Sequence, residues 1–237
     1  MVRRLALNIA HRGASGSYPE NTLSAFRAAI EAGADMCELD VQMTRDGAIV
    51  VIHDDTVDRT CDGIGKVAAM TLGELQGLNA AAKSIRGAVE RIPTLDEVFE
   101  VTSGHCGLNV EIKARGVEEK VVAIIRRHAA IETSLVSNFD WKSLARINQI
   151  DPSIRFGLLS EEDPQKLLDA AIKMKAESIN PRYDLATAEL CAAAHGHGLK
   201  VIVWTVNEPE SAKILLERGV DGIITNFPER MRPLLTR

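Results

Sequence analysis

Short runs of aliphatic and β-branched residues alternate with amphipathic helical stretches from one end of the 237-residue chain to the other. The runs predict strands over 5–10, 36–41, 48–53, 108–112, 134–138, 154–159, 177–180, 200–205 and 222–225. Between them, the helical period predicts helices over 23–32, 95–102, 117–128, 141–150, 164–174, 186–195 and 209–217. Strand–helix alternation of this kind builds a parallel sheet with helical crossovers, and a (β/α)8 TIM barrel, an α/β fold, takes about 250 residues. One strand is then in excess. No helix fits between Val41 and Ala48, and Asp46-Gly47 is a strong turn dipeptide, so 48–53 is predicted to fold back antiparallel as a hairpin extension of the second strand. A two-residue turn would pair Arg45 with Ala48 and, counting outward, Asp40 with His53 on one face of the ribbon. The competing arrangement is a short extended return followed by a parallel strand.

The stretch 56–93 lacks the barrel rhythm, and Gly63, Gly65, Gly73, Gly77 and Gly87 favour turns there. It reads as a small lid-like insertion over the C-terminal rim, where long loops usually bind or cover ligands. Neither an internal repeat nor a linker divides the chain, so 1–237 is expected to be a single barrel unit.

Strand parity then sorts the polar residues. Glu38 and Asp40 fall on one face of their strand while Cys37 and Leu39 fall on the other, and Glu111 and Lys113 share a face in the same way. Such residues near the C-terminal ends of barrel strands stand where these folds place their chemistry. Three carboxylates meeting at one point call for a cation, and all-oxygen ligation favours Mg²⁺ or Ca²⁺ over zinc. Their charge of −3 against +2 from Arg12 and Lys113 leaves −1, which a divalent ion turns to +1; only then does the site attract a phosphodiester monoanion. His11 and His53 each close a strand beside these carboxylates, the setting of a general acid–base pair. The set is what metal-assisted phosphoryl chemistry requires. Trp204, at the end of its strand, is placed to stack on an apolar or polyol portion of a substrate. Asn21 or Thr22 is expected to cap the first helix, and His105, His128, His195 and His197 are expected to be solvated or capping groups.

Composition narrows the partners. With 28 Lys and Arg against 33 Asp and Glu, a net charge of −5 argues against a nucleic-acid surface and leaves a small bound phosphate compatible. The four cysteines, Cys37, Cys61, Cys106 and Cys191, are scattered without a CxxC pair, which fits reduced thiols in the cytoplasm. The apolar stretch after Arg3-Arg4 is too short for a signal peptide and reads as the first strand. No apolar run reaches the roughly 18 residues of a membrane span, so no stable membrane anchor is expected. A homo-oligomer is compatible with this composition.

Read together, His11-Arg12-Gly13, Pro19-Glu20-Asn21-Thr22, Phe26, Gly33-Ala34-Asp35, Glu38-Leu39-Asp40-Val41, Thr44-Arg45-Asp46-Gly47, His53-Asp54, Arg59-Thr60, Glu111-Ile112-Lys113 and Trp204-Thr205-Val206-Asn207 resemble the glycerophosphodiester phosphodiesterase family over nearly the whole chain. The resemblance implies a (β/α)8 barrel that hydrolyses small-molecule glycerophosphodiesters to sn-glycerol 3-phosphate and an alcohol. It also implies Glu38, Asp40 and Glu111 as ligands of one divalent cation, Arg12 and Lys113 as phosphate contacts, and His11 and His53 as the acid–base pair. By the same similarity His11 would activate the nucleophile and His53 would protonate the leaving group, or the reverse. Asn138-Phe139 stands where Ser-Phe is common, Thr225-Asn226 where Thr-Asp is common, and Cys61 where Thr is usual; none removes a proposed ligand or proton carrier. Two alternatives remain: a lysophospholipase D or sphingomyelinase D-like enzyme acting on lipids, which an apolar exposed rim would mark, and a non-catalytic barrel that binds phosphate ligands.

Overall fold

The computed structural model describes residues 6–83 and 89–235; the expected start of the first strand at Leu5 and the loop glycine Gly87 lie outside them. Eight parallel strands close a barrel: β1 (Leu7–His11), β2 (Met36–Met43), β4 (Gly107–Ile112), β5 (Ser134–Asn138), β6 (Phe156–Ser160), β7 (Ser178–Pro181), β8 (Lys200–Val203) and β9 (Gly222–Thr225). Closure is made by β1, which pairs with β9 on one side and β2 on the other. The helices are α1 (Leu23–Glu31), α2 (Leu72–Gln76), α3 (Leu95–Thr102), α4 (Glu118–Arg127), α5 (Trp141–Ile150), α6 (Pro164–Met174), α7 (Ala188–Gly196), α8 (Pro209–Arg218) and α9 (Pro228–Leu235). Short polar side chains start most of them. Thr22, Asp140, Asp163 and Thr187 accept a first-turn N–H, and Thr94 with Glu97 forms a reciprocal capping box.

The ninth strand, β3 (Ile49–Val51), pairs antiparallel with the far half of β2, on the edge that β1 leaves after Glu38. Its register corrects the sequence expectation. Val41 faces Val51 and Met43 faces Ile49, so Asp40 lies opposite Ile52, whose N–H donates to Asp40 O at 3.0 Å. The turn holds three residues instead of two: Gly47 N–H donates to Thr44 O, Thr44 N–H to Ala48 O, and Gly47 sits at φ +83°. A type I turn closed by a left-handed glycine inserts one residue and slips every pair by one. His53 consequently falls beyond the ladder, and no strand pairing orients it.

That slip also decides what β3 packs against. Ile49 and Val51 face the main core between barrel and helices, whereas Val50 and Ile52 join Val57, Cys61, Val67, Leu75, Ala80 and Ile92 in a second apolar cluster built by the insertion. Within the insertion, α2 was not anticipated, although its Thr71…Glu74 capping box is legible in the sequence. Helix α9 was also missed; it follows β9 and starts at Pro228. The barrel interior is plugged at its lower end by Ile9, Leu135, Ile202 and Ile224. Above the plug it turns polar, with Asn109, Ser137, Ser178 and Asn180 buried. A Cβ on Gly157 would run into Ser178 Oγ and Asn180 Oδ1, so the glycine leaves room for them.

Candidate active site

Above the polar layer, β2 and β4 run side by side with Glu38 beside Asn109 and Asp40 beside Glu111. Parallel register and strand parity therefore aim three carboxylates at one point. One oxygen from each of Glu38, Asp40 and Glu111 lies within 4.8 Å of the others, the one such group of potential metal ligands among the described residues. All three are buried, at 3%, 0% and 8% exposure. Glu38 Oε1 and Asp40 Oδ1 accept no hydrogen bond from any described residue, and Glu111 Oε1 has only the Lys113 ammonium beside it. Buried carboxylate oxygens are almost always satisfied, so two facing orphans beside a third converging carboxylate fit a hard divalent cation.

Two cations flank the cluster. Arg12 follows directly on β1 at φ +55°, a left-handed conformation uncommon outside glycine, which turns its N–H onto Glu38 Oε2 at 3.0 Å and sets Nε 3.2 Å from Asp40 Oδ2. Lys113 follows β4, with Nζ 2.5 Å from Glu111 Oε1 and 3.5 Å from Asp40 Oδ1. Two cations do not balance three buried anions. Burial first, and then the neighbouring charges of Asp40 and Glu111, push the Glu38 carboxyl well above its ordinary pKa. Burial and Asp40 likewise push Glu111 up to about 7. Burial works against the charge of Lys113, but Glu111 and Asp40 hold its ammonium above the usual value.

His11 ends β1 with Nε2 3.9 Å from Glu38 Oε2 and Nδ1 2.6 Å from Asn226 Oδ1. An amide oxygen accepts there, which places the neutral ring's proton on Nδ1 and leaves the Nε2 lone pair toward the cluster. Burial, then the charge of Arg12, brings its pKa down to about 4. His53 enters differently. Its Nδ1 lies 2.5 Å from Asp54 Oδ1, and Asp54 is gripped by Arg59, whose other nitrogens grip Glu20, which in turn accepts from Arg12 Nη1 at 2.9 Å. The Arg59 hydrogen bonds bring Asp54 down to about 2. Burial opposes the charge of Glu20, yet Arg59 and Arg12 bring it down to about 2 as well.

Of the residues expected from the sequence, Glu38, Asp40, Glu111, Arg12, Lys113 and His11 meet directly, and His53 joins through the Asp54–Arg59–Glu20 chain. Trp204 donates Nε1–H to Asn180 O at 2.8 Å and meets Phe139 edge-on with ring centroids 5.4 Å apart, while Lys113 Nζ lies 5.8 Å from the Phe139 ring centre. Thr22 caps α1 as expected, but Asn21 does not: at φ +56° it donates Nδ2–H to Asp40 Oδ2 at 2.9 Å. Sequence reasoning missed Asn21, Glu20, Arg59 and Asn226 as members of the site. The available signal was position, since Glu20 and Asn21 occupy a βα loop, which in a barrel always lies at the C-terminal rim.

A family model described as the glycerophosphoryl diester phosphodiesterase family matches residues 11–230. The chain is 42% identical over 238 residues to a glycerophosphodiester phosphodiesterase of Caldanaerobacter subterraneus, covering 98% of each. It is 37% identical to one of Bacillus altitudinis, over 93% of this chain and 94% of that one. Among solved structures, a phosphodiesterase of Oleispira antarctica in complex with the product sn-glycerol-3-phosphate superposes with a TM-score of 0.89 at 30% identity, over 95% of this chain and 94% of that one. The glycerophosphodiester phosphodiesterase of Thermotoga maritima gives 0.82 at 30% identity, over 96% and 98%. With a match over most of its length and a rim cluster of carboxylates, cations and histidines to accompany it, this chain belongs to the glycerophosphoryl diester phosphodiesterase family.

Proposed function

We propose that the chain hydrolyses glycerophosphodiesters to sn-glycerol 3-phosphate and an alcohol with one bound divalent cation, Mg²⁺ or Ca²⁺, and a pair of histidines. The carrying observation is the trio of buried, converging carboxylates Glu38, Asp40 and Glu111, with Glu38 Oε1 and Asp40 Oδ1 left without hydrogen-bond donors. A divalent cation held there would supply polarisation of the phosphoryl oxygens and neutralise charge that Arg12 and Lys113 leave uncompensated. Arg12 and Lys113 grip the non-bridging oxygens from two sides. His11, neutral at pH 7 and carrying its proton on Nδ1, accepts the proton of the attacking hydroxyl at Nε2. His53, with Nδ1 on the Asp54 carboxylate, donates a proton to the departing alkoxide oxygen as the new P–O bond forms and the old one breaks. The same two histidines serve whether the attacking hydroxyl belongs to the substrate's glycerol, giving a cyclic phosphate that water opens, or to water itself. Trp204 and Phe139 line the rim for the glycerol portion. Residues 1–237 act as one catalytic unit, with the described residues of the 56–93 insertion, among them Arg59, Thr60 and Lys83, walling one side of its mouth.

The product held by the Oleispira antarctica relative supports this substrate class. Four free thiols fit the cytoplasmic location we propose, and among the described residues no helix is long and apolar enough to cross a membrane. The deciding experiment is hydrolysis of glycerophosphocholine, glycerophosphoethanolamine, glycerophosphoinositol and a lysolipid by EDTA-treated protein, before and after addition of Mg²⁺ or Ca²⁺. Restoration of turnover by either ion on the glycerol esters is expected. Equal rates in EDTA would remove the metal from the scheme, and preference for the lysolipid would favour the lipid reading, for which Ile64 and Val89, each 83% exposed on the insertion, offer apolar surface.

A further inference from the structure

Nothing in that scheme uses Arg59, and Arg59 belongs to the insertion instead of the barrel. It stands in a turn closed by Cys61 N–H donating to Val57 O at 3.0 Å, and both Val57 and Cys61 are fully buried in the insertion's own apolar cluster. From this anchored base its guanidinium reaches two carboxylates. Nε donates to Asp54 Oδ2 at 2.7 Å and Nη2 to Asp54 Oδ1 at 3.1 Å; Nη1 donates to Glu20 Oε2 at 2.8 Å and Nη2 to Glu20 Oε1 at 2.7 Å. Each carboxylate holds one group that handles the phosphodiester: Asp54 holds His53, and Glu20 holds Arg12.

The hairpin register makes this arrangement consequential. His53 lies outside the β2–β3 ladder, in a loop, with its side chain 31% exposed and that of Asp54 26% exposed. Backbone pairing fixes neither, so both would sample rotamers if Asp54 had no other partner. A planar guanidinium engaged in paired, two-pronged contacts with two carboxylates restricts both partners, which a lysine's single point charge does not do.

We propose that Arg59 is a positioning residue for catalysis: by clamping Asp54 to Glu20, which Arg12 holds from the barrel side, it fixes the His53 ring, so that the insertion completes an active site the barrel alone does not hold. The inference rests on the reading of His53 as the leaving group's proton donor, and the test separates the two. Arg59→Ala, Arg59→Lys, His53→Ala and the Arg59→Ala/His53→Ala double variant are assayed on glycerophosphoethanolamine, whose alkoxide needs a proton to leave, and on the p-nitrophenyl ester of glycerol 3-phosphate, whose phenolate does not. Both Arg59 variants are expected to lower kcat on glycerophosphoethanolamine by about thirtyfold or more and on the aryl ester by less than about threefold. The double variant should be no slower than His53→Ala alone, because the clamp acts only through a ring that is already gone. Guanidinium ion should restore Arg59→Ala saturably, since Arg59 borders an open cleft of about 510 Å³ shared with Ser15, Tyr18, Glu20 and Lys83, and should not restore the double variant.

Losses that multiply in the double variant, or a leaving-group pattern for Arg59→Ala that differs from that of His53→Ala, overturn the proposal. If His53→Ala slows both substrates equally, the proton-donor reading falls, while additivity in the double variant still decides the role of Arg59. Should Arg59→Ala fail to fold, Arg59→Lys keeps the charge and removes the fork. Combined with His53→Ala, it gives the same comparison.

Discussion

Replacing Glu38 by glutamine should make the cation-free protein more stable while abolishing its activity. The carboxylate oxygens of Glu38, Asp40 and Glu111 lie within 4.8 Å of one another, where two unit charges repel by about 3 kcal/mol at an effective dielectric of roughly 20. Folding escapes part of that repulsion by leaving a proton on Glu38, whose pKa burial, Asp40 and Glu111 raise well above 4.5. A carboxyl with a raised folded pKa binds more protons folded than unfolded, so it costs nothing below its unfolded pKa and destabilises progressively as pH rises above it. The slope is about 1.4 kcal/mol per pH unit until the folded pKa is reached. Glutamine has the shape of the protonated acid and needs no proton. Urea unfolding in EDTA should therefore give equal stabilities for wild type and Glu38→Gln near pH 4.5, with the variant ahead at pH 7 by an amount on the order of the repulsion relieved, about 3 kcal/mol. Adding Mg²⁺ or Ca²⁺ should close or reverse the gap, since an ion at a hundred times its Kd stabilises the wild type by about 2.7 kcal/mol and the variant has lost a ligand. A variant less stable than wild type in EDTA at pH 7, or a gap that ignores pH, would refute the account of three mutually repelling carboxyls.

The same geometry makes further predictions. His11→Ala and His53→Ala should each lower turnover by at least about a hundredfold in steady-state assays at saturating cation; near-normal rates would refute the acid–base assignment. Asn21→Gly keeps a backbone that tolerates φ +56° but removes the donor to Asp40, so metal affinity measured by calorimetry should fall by about tenfold or more, with Asn21→Ala adding a loss of stability. Away from the site, Asp151 accepts from Arg126 Nε at 2.5 Å and from Ser153 Oγ at 2.7 Å, and the Arg126 bond leads in lowering its pKa to about 2. Its depressed folded pKa stabilises fully above the unfolded value and is lost as pH falls through about 2; Asp151→Asn should thus cost about 1–2 kcal/mol at neutral pH and almost nothing by pH 2.

The barrel was legible because strand and helix periods differ and because each buried strand is a short, bounded apolar run. Strands such as 222–225 and helices such as 95–102, 141–150 and 164–174 end in the structure where the sequence ends them. Parity carried the carboxylate cluster for the same reason. A side chain two positions along a strand returns to the same face, so Glu38 and Asp40 needed no long-range information, and Glu111 needed only a parallel neighbour. In the hairpin, what escaped hung on one residue of loop. Whether Asp46-Gly47 closes a two-residue or a three-residue turn depends on which residue adopts the left-handed conformation, and both readings are compatible with the same dipeptide.

That single residue has a chemical consequence. In the expected register His53 would have been a strand residue facing Asp40, oriented by the sheet itself. In the observed register the sheet releases it, and its orientation passes to Asp54 and Arg59. A glycine at φ +83° in a hairpin thus leaves His53, one of the two histidines proposed to move protons, oriented by the insertion, while the other, His11, is held by β1 and by Asn226 just beyond β9. The two histidines should then differ under perturbation. Substitutions that loosen the insertion core at Val57 or Leu75 should slow steps that need His53 while leaving cation binding at Glu38, Asp40 and Glu111 intact, because those carboxylates sit on β2 and β4.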